Sequence, residues 1–413
     1  MKTLKKLFPA LQEKNICLLV AGQFVSFAGT WLQMIVLSWL VYEMTGSSIW
    51  TAIVASLQTL PGIFLSPIGG IFVDRFKKKD VLYFTNGVGA VLAFLLGLLT
   101  FTGALKLWEI LIVSALGGLI MAIDSPARSS IVPELIREKN PESRKQLIRS
   151  ATGLNTGLVT GSQIIGPGMA GICLWGIGYG GCFILNAVSF VAGIISLWMM
   201  VIEERPQNLN HPFHIAKEAV KYILANRQII ILMVLSGVVA SSFSYRAVLP
   251  SVCHDIFHGG PKELSGLAAF SGLGACLGGM AIAGLVGRLP LAYSIALGNF
   301  LAGFSMLLFL VVPEKGVILG MIFLAFAGMG FSISFSPIKA AIQNSGSGGK
   351  NLLGTIMGIS TAAFFGGLSL GNLLIGFLTD NLSVRVALGL FGVFFLFLTV
   401  FTVFSKDRLI HDS

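Results

Sequence analysis

Long apolar runs alternate along the chain with short segments rich in lysine and arginine. From Ile16 to Tyr42 no residue carries a charge. A hydrocarbon core ~30 Å thick takes about 20 apolar residues as a helix, and a barrel strand about 10. Inside that core only helices and closed barrels satisfy every backbone N–H and C=O. Runs of this length therefore predict helices that cross a bilayer. Twelve are expected, over 16–41, 49–72, 80–102, 107–125, 148–174, 180–202, 229–250, 264–286, 290–312, 316–338, 352–378 and 384–405. A polar segment from Glu203 to Gln228 separates six from six. It carries Pro206 and Pro212, then an amphipathic stretch from Ile215 to Ala225 with Lys217 and Lys221 on its polar side. That stretch predicts a surface helix within a connector. The expected organisation is all-α: a six-helix bundle over 1–202, a cytoplasmic connector over 203–228 and a second six-helix bundle over 229–413.

Composition agrees with a membrane protein. Charged residues make up 11% of the 413, well under the roughly 25% of soluble proteins. The 50 glycines suit membrane helices, whose contacts rely on close packing of small residues. The net charge of +10 is not a nucleic-acid signal, because the basic residues cluster in short loops. With both termini in the cytoplasm, 23 of the 28 basic residues fall inside and only Lys106, Arg246, Lys262, Lys315 and Arg385 fall outside. This asymmetry predicts both ends in the cytoplasm. Met1 to Lys6 resembles the basic region of a signal peptide, but the apolar run that follows is too long and has no cleavage site, so an uncleaved first span is expected. Cys173 and Cys182 fall near one outer loop, either as a pair or as ordinary apolar residues. No zinc spacing occurs, and His254 and His258, between Pro250 and Gly259, read as solvated loop residues.

Three segments carry a family resemblance. Gly69-Gly70-Ile71-Phe72-Val73-Asp74-Arg75-Phe76-Lys77-Lys78-Lys79 resembles the signature loop between helices 2 and 3 of the major facilitator superfamily. Lys77 stands where the family has its second glycine. Gly153, Ser162 and Gly166-Pro167-Gly168-Met169-Ala170-Gly171 are similar to the glycine–proline element of exporters and antiporters in that superfamily. Ala122-Ile123-Asp124-Ser125-Pro126-Ala127-Arg128 through Val132-Pro133-Glu134-Leu135, with Gly29-Thr30-Trp31-Leu32-Gln33 and Asn186-Ala187-Val188-Ser189-Phe190, resembles the branch holding enterobactin exporters and macrolide-efflux proteins. The likeness is dense over about the first 200 residues and thin afterwards. Gln163 replaces an arginine frequent in that branch, and Ser345 to Lys350 lacks its acidic run. The resemblance implies two pseudo-symmetric six-helix halves with a transport site between them.

Enzyme signatures are absent, and no phosphate-loop spacing occurs. Polar residues at membrane depth are the useful candidates, since each is costly without a partner or a cavity. Gln23, Ser26, Thr30 and Gln33 fall at i, i+3, i+7 and i+10, on one helical face, and that stripe is expected to face the central cavity or to bond neighbouring helices. Gln58, Asn155, Gln163, Tyr245 and Arg246 are further cavity candidates. Asp124 and Arg128, four apart, should pair along their helix. Together with Asp74 they are read as an inner gate, with Gly70, Arg75, Gly166 and Pro167 as conformational residues. No acid lies mid-span, which leans against cationic cargo.

The expectation is therefore a transporter that exports a small amphiphilic molecule, siderophore-like or otherwise anionic, by alternating access coupled to protons. Alternatives are a multidrug or macrolide efflux pump, an importer of the same cargo and a non-transporting membrane sensor. The expected setting is a bacterial-type inner membrane. The expected partners are the lipid bilayer, a small-molecule substrate and protons, with no cofactor, metal or nucleic acid, and the chain acting as a monomer.

Overall fold

The computed structural model describes residues 10, 13–73, 76–132, 135–136, 140–201, 212–284, 289–346 and 352–404. These are helical throughout, with no strand among the described residues. The long helices are α1 (Lys14–Thr45), α2 (Ser48–Leu57), α3 (Leu60–Val73), α4 (Lys78–Phe101), α5 (Leu107–Ile131) and α6 (Pro141–Met199). The connector helix α7 (Pro212–Ala225) follows, then α8 (Arg227–Ser241), α9 (Pro261–Gly284), α10 (Leu291–Leu307), α11 (Val317–Gly346), α12 (Leu353–Asn381) and α13 (Val384–Phe404). The face where α1 begins and α13 ends, which also carries α7, is called the near face here and the opposite one the far face.

The fifth and sixth spans share the single element α6, and packing against α1 shows the chain reversing within it. Ser162 Oγ donates to the Phe24 carbonyl at 3.3 Å, and Gly166 lies against Ala28 and Trp31, so this part rises alongside α1. Asn186 then meets Gln33 at 2.8 Å, Ser196 meets the Leu18 carbonyl and Val201 meets Asn15 at 2.8 Å, so the later part descends. The reversal falls at Gly178, whose φ of 66° suits a residue without Cβ. With it the chain makes twelve crossings.

Two spans are broken where a proline removes a backbone donor. Pro61 cannot donate to Leu57, and the second span divides into α2 and α3. Its stranded groups find partners nearby: Thr59 N donates to Ser56 O at 3.0 Å. Pro250 likewise cannot donate to Arg246, and beyond α8 the seventh span continues as a 3-10 turn (Ser244–Val248), a short α-turn (Leu249–Ser251) and a π-turn (Val252–Ile256). Irregular backbone at this depth persists only where protein surrounds it, and here most of the segment is buried.

The connector helix belongs to the second half. Its Ala219 and Ile223 are buried with Ile338, Ile342, Leu352 and Ile356, and Tyr222 donates to the Ser345 carbonyl at 3.0 Å. Asn226 caps α8, accepting from Gln228 N at 3.1 Å and Ile229 N at 3.3 Å. Cys173 and Cys182 do not form a disulfide. Both pack as apolar side chains in one cluster beside Phe183.

Candidate functional site

Arg246 sits at the break in the seventh span, between the two halves. Its guanidinium carbon lies 4.9 Å from the centre of the Trp31 ring on α1 and 4.6 Å from that of Phe243 just beyond α8. Each half thus contributes one aromatic face. Nη2 donates to the Ala268 carbonyl on α9 at 3.4 Å. Nε and Nη1 are closed off from solvent and have no hydrogen-bond partner, and no described carboxylate pairs with the group. Cation–π contact of a desolvated cation is worth about 2 kcal/mol, which offsets only part of the cost of an unpaired charge in a low-dielectric site. A guanidinium offers its N–H groups as a planar fork matched to a carboxylate. Among the described residues no carboxylate balances this charge.

The glycine–proline element shapes this place. A Cβ at Gly166 would lie 2.6 Å from both the Ala28 carbonyl and Trp31 Cβ, so glycine lets α6 press on α1 directly behind Trp31. Pro167 is buried beside it. One turn further, a Cβ at Gly171 would lie 2.8 Å from Ser265 Oγ and 2.9 Å from Lys262 Cα, both on α9 of the other half. The element therefore joins α6 to α1 at one glycine and to the opposite half at another.

The halves are stitched together from mid-membrane to the far face. Ser56 Oγ donates to the Ser369 carbonyl at 3.2 Å, and Thr59 and Ser369 hydroxyls meet at 2.7 Å. Thr51 Oγ1 donates to the Ala247 carbonyl at 2.8 Å, and the Ser48 and Ser251 hydroxyls are in contact. At the far end Tyr42 donates to Asp255 at 2.8 Å. There Asp380, at the end of α12, accepts from Ser48 N at 2.6 Å, from Ile49 N at 3.2 Å and from the Ser47 hydroxyl. A carboxylate of one half thus caps a helix of the other.

The residues singled out by sequence scatter around this frame. The α1 stripe turns towards its own half. Gln33 accepts from Asn186 at 2.8 Å, Thr30 bonds back to the Ser26 carbonyl, and Gln23 and Ser26 are 3% and 2% exposed. Of the two expectations for the stripe, Gln33 follows the interhelical one; the α1 side chain that reaches Arg246 is Trp31, in the gap between Thr30 and Gln33. Gln23 keeps both amide atoms buried and without a partner. Tyr245 is fully buried, its hydroxyl 2.6 Å from Ser271 on α9, one turn beyond the Ala268 carbonyl that Arg246 reaches. Gln58 occupies the break between α2 and α3, and the Gln163 carbonyl lies against Gly272 of the other half. Asn155 falls on α6 and Gly70 on α3, their surroundings outside the described set. Asp74 and Arg75 lie outside the described residues.

Asp124 and Arg128 do pair on α5. Asp124 also accepts from Thr85 at 2.7 Å, Arg128 reaches Asn86 at 3.4 Å, and its guanidinium lies 5.1 Å from the Phe27 ring centre. These contacts join α5 to α4 and α1 within the first half. The residues that sequence reasoning missed are Phe243, Ser369 and Asp380. A serine within a helix and an aspartate near a helix end are ordinary in a sequence, and nothing local shows that they meet the other half.

Comparison with known proteins agrees with this architecture. The chain is similar to the Staphyloferrin A transporter of Staphylococcus aureus (strain NCTC 8325 / PS 47), 26% identical over 296 residues, 70% of this chain and 71% of the relative. It is similar to Macrolide efflux protein A of Streptococcus pyogenes, 25% identical over 337 residues, 78% of this chain and 79% of the relative. Its fold resembles the nucleoside transporter NupG with a TM-score of 0.76 at 12% identity, covering 96% of this chain and 100% of that one. Residues 7–410 match the family described as transmembrane secretion effector. With a match of that extent, the chain belongs to the transmembrane secretion effector family of the major facilitator superfamily, and it is a multi-pass membrane transporter rather than an enzyme.

Proposed function

We propose that this transporter exports a small amphiphilic anion, a siderophore-like compound or another carboxylate metabolite, by alternating access with protons in exchange. One observation carries the choice of cargo: Arg246 stands between the halves with two donor nitrogens unmet and no acid among the described residues to balance it. An anion bound there satisfies both the charge and the donors. The excess of basic residues supports a cytoplasmic near face. The bonds that run from Ser47 to Thr59 hold the far side shut, which suits a state loaded from the cytoplasm. Alternating access then requires those bonds to part while near-face contacts form. An inside-negative potential drives an anion outwards by about 2.3 kcal/mol per charge per 100 mV, so export is the downhill direction for this cargo. Proton entry adds to that drive.

A second reading is multidrug efflux. It is favoured by similarity to the Multidrug efflux pump Tap of Mycobacterium tuberculosis (strain CDC 1551 / Oshkosh), 23% identical over 371 residues. Metabolite profiling of the medium from a deletion strain, with and without iron, separates the two. Loss of an acidic metabolite from the medium is the expected result. An unchanged anion profile together with sensitivity to cationic dyes would establish the second reading instead.

A further inference from the structure

Arg246 is the first member of a longer row. Phe243, over which it lies, stacks on Phe331 of α11 with ring centres 4.4 Å apart and planes 29° apart. Phe331 stacks on Phe335 at 5.3 Å and 11°, Phe335 meets Phe364 of α12 at 4.8 Å, and Phe364 meets Phe365 at 5.6 Å. The Phe365 ring ends the row against Gly62 of α3 in the opposite half. The row therefore starts beside Trp31 and ends against Gly62, both of the first half, while its own members belong to the second. It lies along the interface between them.

These rings differ from the phenylalanines of the core. Phe183, Phe309 and Phe395 are 0–1% exposed, whereas every ring of the row is half-buried. Phe331 and Phe335 share one side of α11 with Lys339, each four residues from the next. From Phe331 to Lys339 the helix rises about 12 Å, towards the near face, and Lys339 is exposed. Arg246 thus stands beside Phe243 at one end of the row, and Lys339 lies one turn beyond Phe335 on the near-face side. Such a row of rings recognises more than apolar area. Ring quadrupoles favour offset or edge-to-face partners by about 0.5–1.5 kcal/mol beyond burial, and a saturated body of equal size gains only the burial.

We propose that this row is a second cargo subsite, which selects carboxylates with a flat aromatic body. It rests on the assignment of Arg246 as the anion site and adds the shape of what the anion is attached to. The carboxylate sits at the Arg246 fork, and the ring system lies on Phe331 and Phe364.

Equilibrium binding of 2-naphthoate and of decahydro-2-naphthoate to the purified full-length chain tests this, because the two acids share a skeleton and a charge. The wild type is expected to prefer 2-naphthoate about tenfold. Phe331→Leu and Phe364→Leu should each cut that preference to about threefold or less by weakening 2-naphthoate more than the saturated acid, and Phe364→Tyr should keep it. Equal affinity for both acids in the wild type, or equal loss of both in the leucine variants, would overturn the subsite and leave the anion site standing. Failure of the anion site itself looks different: neither acid binds, or Arg246→Gln binds both as the wild type does, and the subsite falls with it.

Discussion

Arg246→Gln is expected to weaken carboxylate binding about a hundredfold and, in the absence of ligand, to make the protein more stable. Hydrogen bonds to charged groups contribute about 1.5–3 kcal/mol each, and Nε and Nη1 are both unmet in the structure. Two such bonds, less the cost of stripping water from the anion, leave about 2.7 kcal/mol, which is a hundredfold in affinity. Arg246→Lys keeps the charge but not the fork, so it should recover about tenfold of that loss. The stability change has the opposite sign from an ordinary core substitution. Removing an unbalanced charge relieves a desolvation cost, although the glutamine loses the contacts with Trp31 and Phe243. Isothermal titration with a carboxylate and a thermal melt of the empty protein measure the two effects. Unchanged binding with a lowered melting temperature would make Arg246 a packing residue.

Asp380→Ala is expected to shift the protein towards a far-open state by about tenfold. The carboxylate accepts from two backbone N–H groups and a hydroxyl at the start of α2, across the boundary between halves. Loss of a helix cap costs about 0.5–2 kcal/mol. Part of the contact is exposed, so solvent replaces some of it and the middle of that range applies. Closed and open states of a transporter differ by only a few kcal/mol, so a loss of this size changes their ratio. The other stitches, Tyr42 to Asp255 and Thr59 to Ser369, remain, and the variant should still fold. Spin labels on cysteines introduced at the exposed far-end residues Thr102 and Lys315, in a background without the native cysteines, report the separation of the halves. A new population at longer distance is expected. An unaltered distance distribution would show that Asp380 does not hold the far side closed.

Much of the fold was legible because a bilayer imposes a length on every crossing. The first span, expected over 16–41, is α1 over Lys14–Thr45, and the reversal at Gly178 falls in the gap expected between 174 and 180. The breaks at Pro61 and Pro250 were not foreseen, because an apolar run reads the same whether its backbone is continuous or repaired by side chains. Helical phase placed Gln23, Ser26, Thr30 and Gln33 on one face, but phase does not say which neighbour that face meets. Gln33 meets Asn186. Tyr245 and Arg246 are adjacent in sequence, yet it is the second that reaches Trp31, since successive side chains in a 3-10 turn point about 120° apart. Arg246 itself was visible as a cation inside an apolar run. Its surroundings were not, because Trp31, Phe243, Phe331 and Phe364 come from four elements far apart in the chain.

Flux through the purified protein in sealed proteoliposomes tests the anion site between the halves most directly. With an imposed potential and pH gradient, uptake or release of a labelled aromatic carboxylate is expected to be saturable, to stop when the gradients are collapsed, and to be insensitive to excess cationic dye. Transport of the dye with no movement of the carboxylate, equally fast in wild type and Arg246→Gln, would contradict the assignment of an anionic cargo.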